Sequence, residues 1–180
     1  MIVDHPWEHI VSVCDLSKDQ LFRFSCGIST LDQWLQTQAY GAALRGECAV
    51  HICVDGSKTP VAFFTLSATS ISPSTVSNRF RGGLHGPIPA TLLGKMGVRA
   101  DLQGNNRGTC VLRHAMLYAL RSSQLVSSRL LVVDALTTDL VPWYENRGFR
   151  KLPNAGRRLV CKMSDVQKIC NQQSMEYFRE

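Results

Sequence analysis
Residues 93–110, LGKMGVRADLQGNNRGTC, hold the pattern in this chain that most directly suggests chemistry. An apolar, strand-like run ends in a Gly/Asn cluster, and a helix-forming stretch begins at once. A helix N-terminus leaves four N–H groups without partners, and its dipole amounts to roughly +0.5 charge. Small residues just before it let the backbone approach a phosphate closely. Gly104 and Gly108 remove side-chain obstruction, while Asn105 and Asn106 tolerate left-handed backbone better than other non-glycine residues. Arg107 and Lys95 add positive charge nearby. The segment fits a phosphate-binding turn better than the plain alternative, an ordinary strand-to-helix connection. It is not a dinucleotide fingerprint, because G-x-G-x-x-G is missing. Nor is it a P-loop: Met96 follows Gly94-Lys95, and Pro89 sits where the first P-loop glycine belongs.

The rest of the chain must position this turn. At 180 residues and 44% hydrophobic, it suits a single compact α/β-sized domain. No apolar stretch approaches the ~20 residues of a membrane helix. The opening MIVDHPWEHI lacks the basic and apolar regions of a secretory signal. The seven cysteines (14, 26, 48, 53, 110, 161 and 170) are odd in number, scattered and without a C-x-x-C, and no histidine pair has zinc spacing. Reduced thiols, a cytoplasmic location and no metal are expected. A net charge of +6 and a pI near 9.1 suggest a polyanionic partner, with solubility alone as the plain alternative.

Periodicity supplies the elements. EHIVSVCD (8–15) reads as a first strand. Ser29 reads as the N-cap of a helix, with Asp32 three residues on and Leu31, Trp34, Leu35, Ala39 and Ala42 on one face. ECAVHICV and VAFFTLSA read as a hairpin around Asp55-Gly56 and Pro60, followed by a Ser/Thr-dense loop with room for one short helix. A strand over about 90–99 then leads into the turn and a helix from Thr109. RLLVVDAL is a continuous apolar run, as in a strand covered on both sides. TDLVPWYENRG reads as a short helix ending at Gly148, and FRKL and RRLVCKM as closing strands. Strand–helix–strand order implies a βαβ crossover with parallel pairing. Residues 164–180 form a tail able to make an amphipathic helix.

LGKMGVRADLQGNNRG resembles the acetyl-CoA motif of the GNAT acetyltransferases, a strand followed by Q/R-x-x-G-x-G/A and a helix. Gln103 is the leading residue, Gly108 the closing one, and Asn106 stands where the family usually has glycine. FSCGISTLDQWL (24–35), VAFFTLS, PIPATLLGKMGV and DAL…WYENRGF follow in the order of one GNAT branch, so the resemblance covers nearly the whole chain. That branch comprises the toxins of bacterial type II toxin–antitoxin pairs that acetylate aminoacyl-tRNA.

The resemblance implies a GNAT domain over 1–163, a mixed central sheet with helices on both faces, and splayed strands forming an acetyl-CoA cleft. It assigns acetyl-CoA to the backbone of Met96, Gly97 and Val98 and to Gln103, Gly104, Asn105, Asn106, Arg107, Gly108 and Thr109. Tyr144 takes the place of the family's general acid, beside the aromatic Trp143. A phenol of pKa ~10 can protonate a leaving thiolate whose conjugate acid lies near ~8.5. Aminoacyl-tRNA would be the acceptor, with Arg79, Arg81, Lys95, Arg99 and Arg147 as candidate phosphate contacts. A small ribbon-helix-helix antitoxin and a homodimer are expected on the same ground. Other acceptors, a small amine or a protein N-terminus, share this chemistry, and a non-catalytic acyl-CoA-binding module shares the fold. His85, His51 and His114 read as loop, packing or surface residues. Asp134 reads as a substrate contact or a structural hydrogen bond.

Overall fold
The computed structural model describes residues 7–177. Positions 1–6 of the stretch read for a secretory signal, and 178–180 of the tail, lie outside the described residues. Among the described residues, seven strands form one mixed sheet in the order β1-β2-β3-β4-β5-β7-β6. The strands are β1 (His9–Ser12), β2 (Ala49–Val54), β3 (Pro60–Ile71), β4 (Ile88–Val98), β5 (Leu130–Asp134), β6 (Arg150–Lys151) and β7 (Arg158–Lys162). The helices are α1 (Lys18–Phe22), α2 (Ser29–Thr37), α3 (Ala39–Leu44), α4 (Asn78–Arg81), α5 (Arg107–Leu125), α6 (Val141–Glu145) and α7 (Met163–Tyr177). The chain divides into two compact units, Met1–Ser67 with Gly94–Ala115, and Ala68–Leu93 with Met116–Glu180.

In the first unit, β1 pairs antiparallel with β2, and β2 with β3. The expected hairpin is present, and Asp55 makes its turn. One carboxylate oxygen, Oδ1, accepts the N–H groups of Ser57 and Thr59 at 3.0 Å each and the Ser57 hydroxyl at 2.7 Å. The first strand is shorter than its alternating pattern suggests. Ser12 Oγ accepts the Cys14 N–H, and Asp15 Oδ2 accepts the Ser12 N–H, so Val13–Asp15 closes into a 3-10 turn. The single helix expected from Ser29 is two, α2 and α3, broken at Gln38. The core joins Val13, Leu21, Phe24, Leu35, Ile52 and Phe63. Phe24 meets Phe63 edge-on at 5.4 Å, and Trp34 stacks on Phe63 at 6.3 Å.

In the second unit, β5 pairs parallel with β4 from Ala90↔Leu130 to Leu93↔Val133, and antiparallel with β7. The continuous apolar run reads correctly: Leu130, Leu131, Val132 and Val133 are all buried. Leu130 and Val132 share a core with Ile71, Ile88, Leu152 and Val160. Pro142 lies in the first turn of α6, where its missing N–H costs nothing. Gly148 has φ +94°, and a Cβ there would meet Ile169 Cδ1 at 2.8 Å. Strained backbone of this kind costs about 1–3 kcal/mol when a side chain is forced into it. Gly148→Ala is therefore expected to lower stability by at least about 1 kcal/mol, measured by urea denaturation.

Candidate active site
β4 outruns its parallel partner. The ladder with β5 covers Ala90–Leu93, and the strand continues through Lys95, Met96 and Gly97 to Val98. The Lys95 N–H is taken by the hydroxyl of Thr65, the buried polar residue of β3, at 2.9 Å. Gly97 is needed for a packing reason that the sequence does not show. A Cβ there would stand 2.9 Å from Phe63 Cε1, inside the first unit's aromatic core.

Beyond Val98, a 3-10 turn (Ala100–Leu102) leads to Gln103 and then to three consecutive left-handed residues. Gly104 has φ +89°, Asn105 +46° and Asn106 +59°. Asparagine at 106 thus suits the conformation in which glycine is otherwise favoured. A Cβ at Gly104 would meet nothing within 4 Å, so the turn faces open space. α5 starts directly at Arg107, with Gly108 and Thr109 in its first turn. Arg107 Nη1 donates back to the Leu102 carbonyl at 2.9 Å, while its buried Nε has no hydrogen-bond partner among the described residues.

A side-chain clamp holds the turn. Gln103 Nε2 donates to the carbonyls of Cys26 (2.8 Å) and Val98 (3.0 Å). The segment carrying Cys26 is fixed by Asp32, which accepts the Cys26 N–H and the Ser25 hydroxyl at 2.7 Å each. The Ala100 N–H donates to the Ser25 carbonyl at 2.9 Å. Burial pulls the Asp32 carboxyl upward, but these hydrogen bonds outweigh it and hold the group below its usual value. Ser29 is consequently not the N-cap. Ile28 occupies that position with no side-chain cap bond, and Asp32 serves the preceding loop instead of the helix. Burial, reinforced by Asp32, pushes the Cys26 thiol up to about 11.

Tyr144 belongs to the second unit, on α6. Its ring is enclosed by Trp143 at 4.9 Å and Phe149 at 5.6 Å, both edge-on. Among the described residues no hydrogen bond takes up its Oη, unlike a core tyrosine with a satisfied hydroxyl. Burial pushes its pKa up to about 12.

The basic candidates are distributed over both units. In the first, Lys95 Nζ lies 4.6 Å over the Trp34 ring. Arg99 is paired with Asp101 at 2.7 and 3.0 Å. In the second, Arg79 lies 6.0 Å from the Phe80 ring, and Arg81 donates to Asn78. Arg147 stacks 3.9 Å over Trp143 and donates to that residue's carbonyl at 2.8 Å. Asp134 has a structural partner, a bidentate Arg158 at 2.7 and 2.8 Å. His51 stacks on Phe64, and burial lowers its pKa; His114 packs edge-on to Trp7.

No family profile matches the chain. Among solved structures, AtaT complexed with acetyl-methionyl-tRNAfMet superposes with a TM-score of 0.81 at 21% identity, covering 89% of this chain and 98% of that one. This chain has the GNAT fold. A tyrosine-to-phenylalanine mutant of KacT gives 0.81 at 19% identity, with the same two coverages of 89% and 98%. An AtaT mutant toxin bound to the C-terminus of the antitoxin AtaR and acetyl-CoA gives 0.74 at 20% identity, covering 89% and 96%. The GNAT fold accounts for the strand–turn–helix unit described above. In this chain the Asp32–Cys26–Gln103 clamp fastens that unit. The sequence does not show that these two motifs meet, because Gln103 and Cys26 are 77 residues apart.

Asp32→Asn should weaken the clamp. Hydrogen bonds to a charged group are worth about 1.5–3 kcal/mol, and a loss of that size is expected at pH 7. The folded-state pKa of Asp32 is depressed, so its contribution is present above the unfolded value of ~3.9 and lost as pH falls below it. Denaturation curves of the two proteins should therefore diverge at pH 7 and converge below about pH 4.

Proposed function
We propose that this protein is an acetyl-CoA-dependent N-acetyltransferase that acetylates the α-amine of aminoacyl-tRNA and so blocks translation. The observation that carries this reading is the run of left-handed residues 104–106 opening directly onto α5. Its N–H groups, the helix dipole and the open space at Gly104 suit a diphosphate. AtaT, of the same fold, is described with acetyl-methionyl-tRNA and with acetyl-CoA. In this proposal the backbone of residues 103–109 holds the coenzyme's phosphates, and the backbone of Met96, Gly97 and Val98 lies along its pantetheine arm.

Acetyl-CoA supplies an activated acetyl group as a thioester. An α-amine of pKa ~7.7–8.0 is substantially neutral near pH 7.5 and needs little help as nucleophile. Tyr144 supplies the remaining proton from Oη. With a pKa of about 12 it stays protonated at neutral pH, but giving its proton outright to a thiolate of pKa ~8.5 is uphill by roughly 5 kcal/mol. The phenol therefore acts as a relay, giving its proton to sulfur while taking one from the attacking nitrogen, so that no tyrosinate accumulates. Cys26 is held as a neutral thiol, a poor nucleophile, which favours direct transfer over an acyl-cysteine route.

Arg79, Arg81, Lys95, Arg99 and Arg147 are the proposed contacts to tRNA phosphates. A cytoplasmic location, a homodimer and neutralisation by a small ribbon-helix-helix antitoxin complete the proposal. AtaT in complex with the antitoxin AtaR supports the last of these in its coarser form, an antitoxin partner.

Transfer of labelled acetyl from acetyl-CoA to charged tRNA, with no label on uncharged tRNA or a polyamine, is the expected result. Label on the polyamine would reassign the acceptor. Tyr144→Phe should lower kcat by about 10²–10⁴ and leave acetyl-CoA affinity nearly unchanged. The wild-type rate should rise with pH through the amine pKa of ~7.7–8.0 and then stay level to about pH 10, because Tyr144 holds its proton. An amide-linked aminoacyl-tRNA, resistant to hydrolysis, makes that range measurable.

A further inference from the structure
The second unit contains a cavity of about 410 Å³ that none of the residues assigned above to coenzyme, proton transfer or tRNA lines. Sheet register builds it. Ala90, Leu130 and Lys162 form one row across β4, β5 and β7, so Pro89 and Arg129 stand just beyond that row at the same edge. Two hydrogen bonds fix the edge: Arg129 N–H to the Pro89 carbonyl at 2.8 Å, and Met163 N–H to the Arg129 carbonyl at 2.9 Å.

The lining is of two kinds. Leu84, Pro89 and Met163 are apolar, whereas Arg129, Lys162, Ser127 and Ser164 present cations and hydroxyls. Arg129 uses Nε on the Phe80 carbonyl at 2.7 Å, and its guanidinium lies so close over Gly82 that any Cβ there would collide with it. The arginine is thus oriented, yet its two terminal amino groups make no hydrogen bond among the described residues. Lys162 is 3.8 Å from Asp165, a carboxylate shared with Lys168 at 3.5 Å. Of the two cations of the lining, Lys162 shares the Asp165 carboxylate with Lys168, and Arg129 has no ion pair among the described residues.

We propose that this cavity binds a phosphate ester of nucleotide size, its phosphate between Arg129 and Lys162 and its organic part against Leu84, Pro89 and Met163. The volume falls within the roughly 300–1,000 Å³ of small-ligand sites. An oriented guanidinium matches phosphate geometry, and Lys162 adds a point charge. The ligand is a free nucleotide or one nucleotide of an RNA strand. The site does not depend on the acetyl-transfer reading.

Calorimetric titration with AMP, in saturating coenzyme A so that the 104–106 turn cannot take the ligand, tests the proposal. AMP should bind, and adenosine should bind at least about tenfold more weakly. Lys162→Gln and Ser164→Asp should each weaken AMP by about tenfold or more. Ser164 is exposed in the first turn of α7, where an acidic residue favours the helix, so that variant is expected to fold. Competition by a short single-stranded RNA would identify an RNA strand as the source, and its failure to compete a free nucleotide. Absence of AMP binding, equal affinity for adenosine, or full affinity in both variants would overturn the proposal.

Discussion

Three consecutive positive-φ residues, two of them asparagine, are the constraint around which the first unit is organised. Left-handed backbone costs a non-glycine residue roughly 1–2 kcal/mol, so such a run persists only where its surroundings over-determine it. Here both flanks are fastened. On one side, Gln103 bridges the end of β4 to the Cys26 loop; on the other, Arg107 returns to the Leu102 carbonyl. Asp32 in turn holds the Cys26 loop, and for that reason α2 begins without a side-chain cap of its own. A weaker helix start accompanies a turn fastened on both flanks, whose Gly104, Asn105 and Asn106 are exposed.

The elements legible in the sequence were those whose signal is local. Alternation and continuous apolar runs located β2, β3, β4, β5 and β7, because burial of one or both faces dictates those patterns. The left-handed turn was legible because Gly and Asn are the residue types that tolerate it. The spacing of 164–180 suits an amphipathic helix, and α7 runs over Met163–Tyr177. Where two local signals competed, the shorter-range one prevailed. The alternation of EHIVSVCD was cut short by the Ser12–Asp15 capping pair. The helix from Ser29 broke at Gln38 despite unbroken apolar spacing.

What was not legible depends on contacts distant in sequence. Asp32 looks like a helix-capping residue until the Cys26 loop is seen against it. Gly97 looks like a glycine kept for a close ligand, yet Phe63 fills the space its side chain would need. Tyr144 is the clearest case. Its type suggests an acid of ordinary strength, whereas its enclosure by Trp143 and Phe149 sets how strong an acid it is. A phenol raised to about 12 is a poor outright proton donor to a thiolate, and for that reason the proposed reaction gives Tyr144 the part of a relay.

Net charge carries a similar lesson. A count of +6 invites the reading that the cations form one face for a polyanion. Several of them already have intramolecular tasks. Arg99 neutralises Asp101, Arg158 neutralises Asp134, and Arg129 supports the loop at Gly82. Lys95 differs, since the Trp34 ring orients it without cancelling its charge. A cation held over a ring loses less rotamer freedom when it meets a phosphate than a free surface lysine does. Lys95 on Trp34 is therefore the member of the proposed phosphate-contact set best prepared for that role. Its aromatic partner belongs to the same argument as the charge itself.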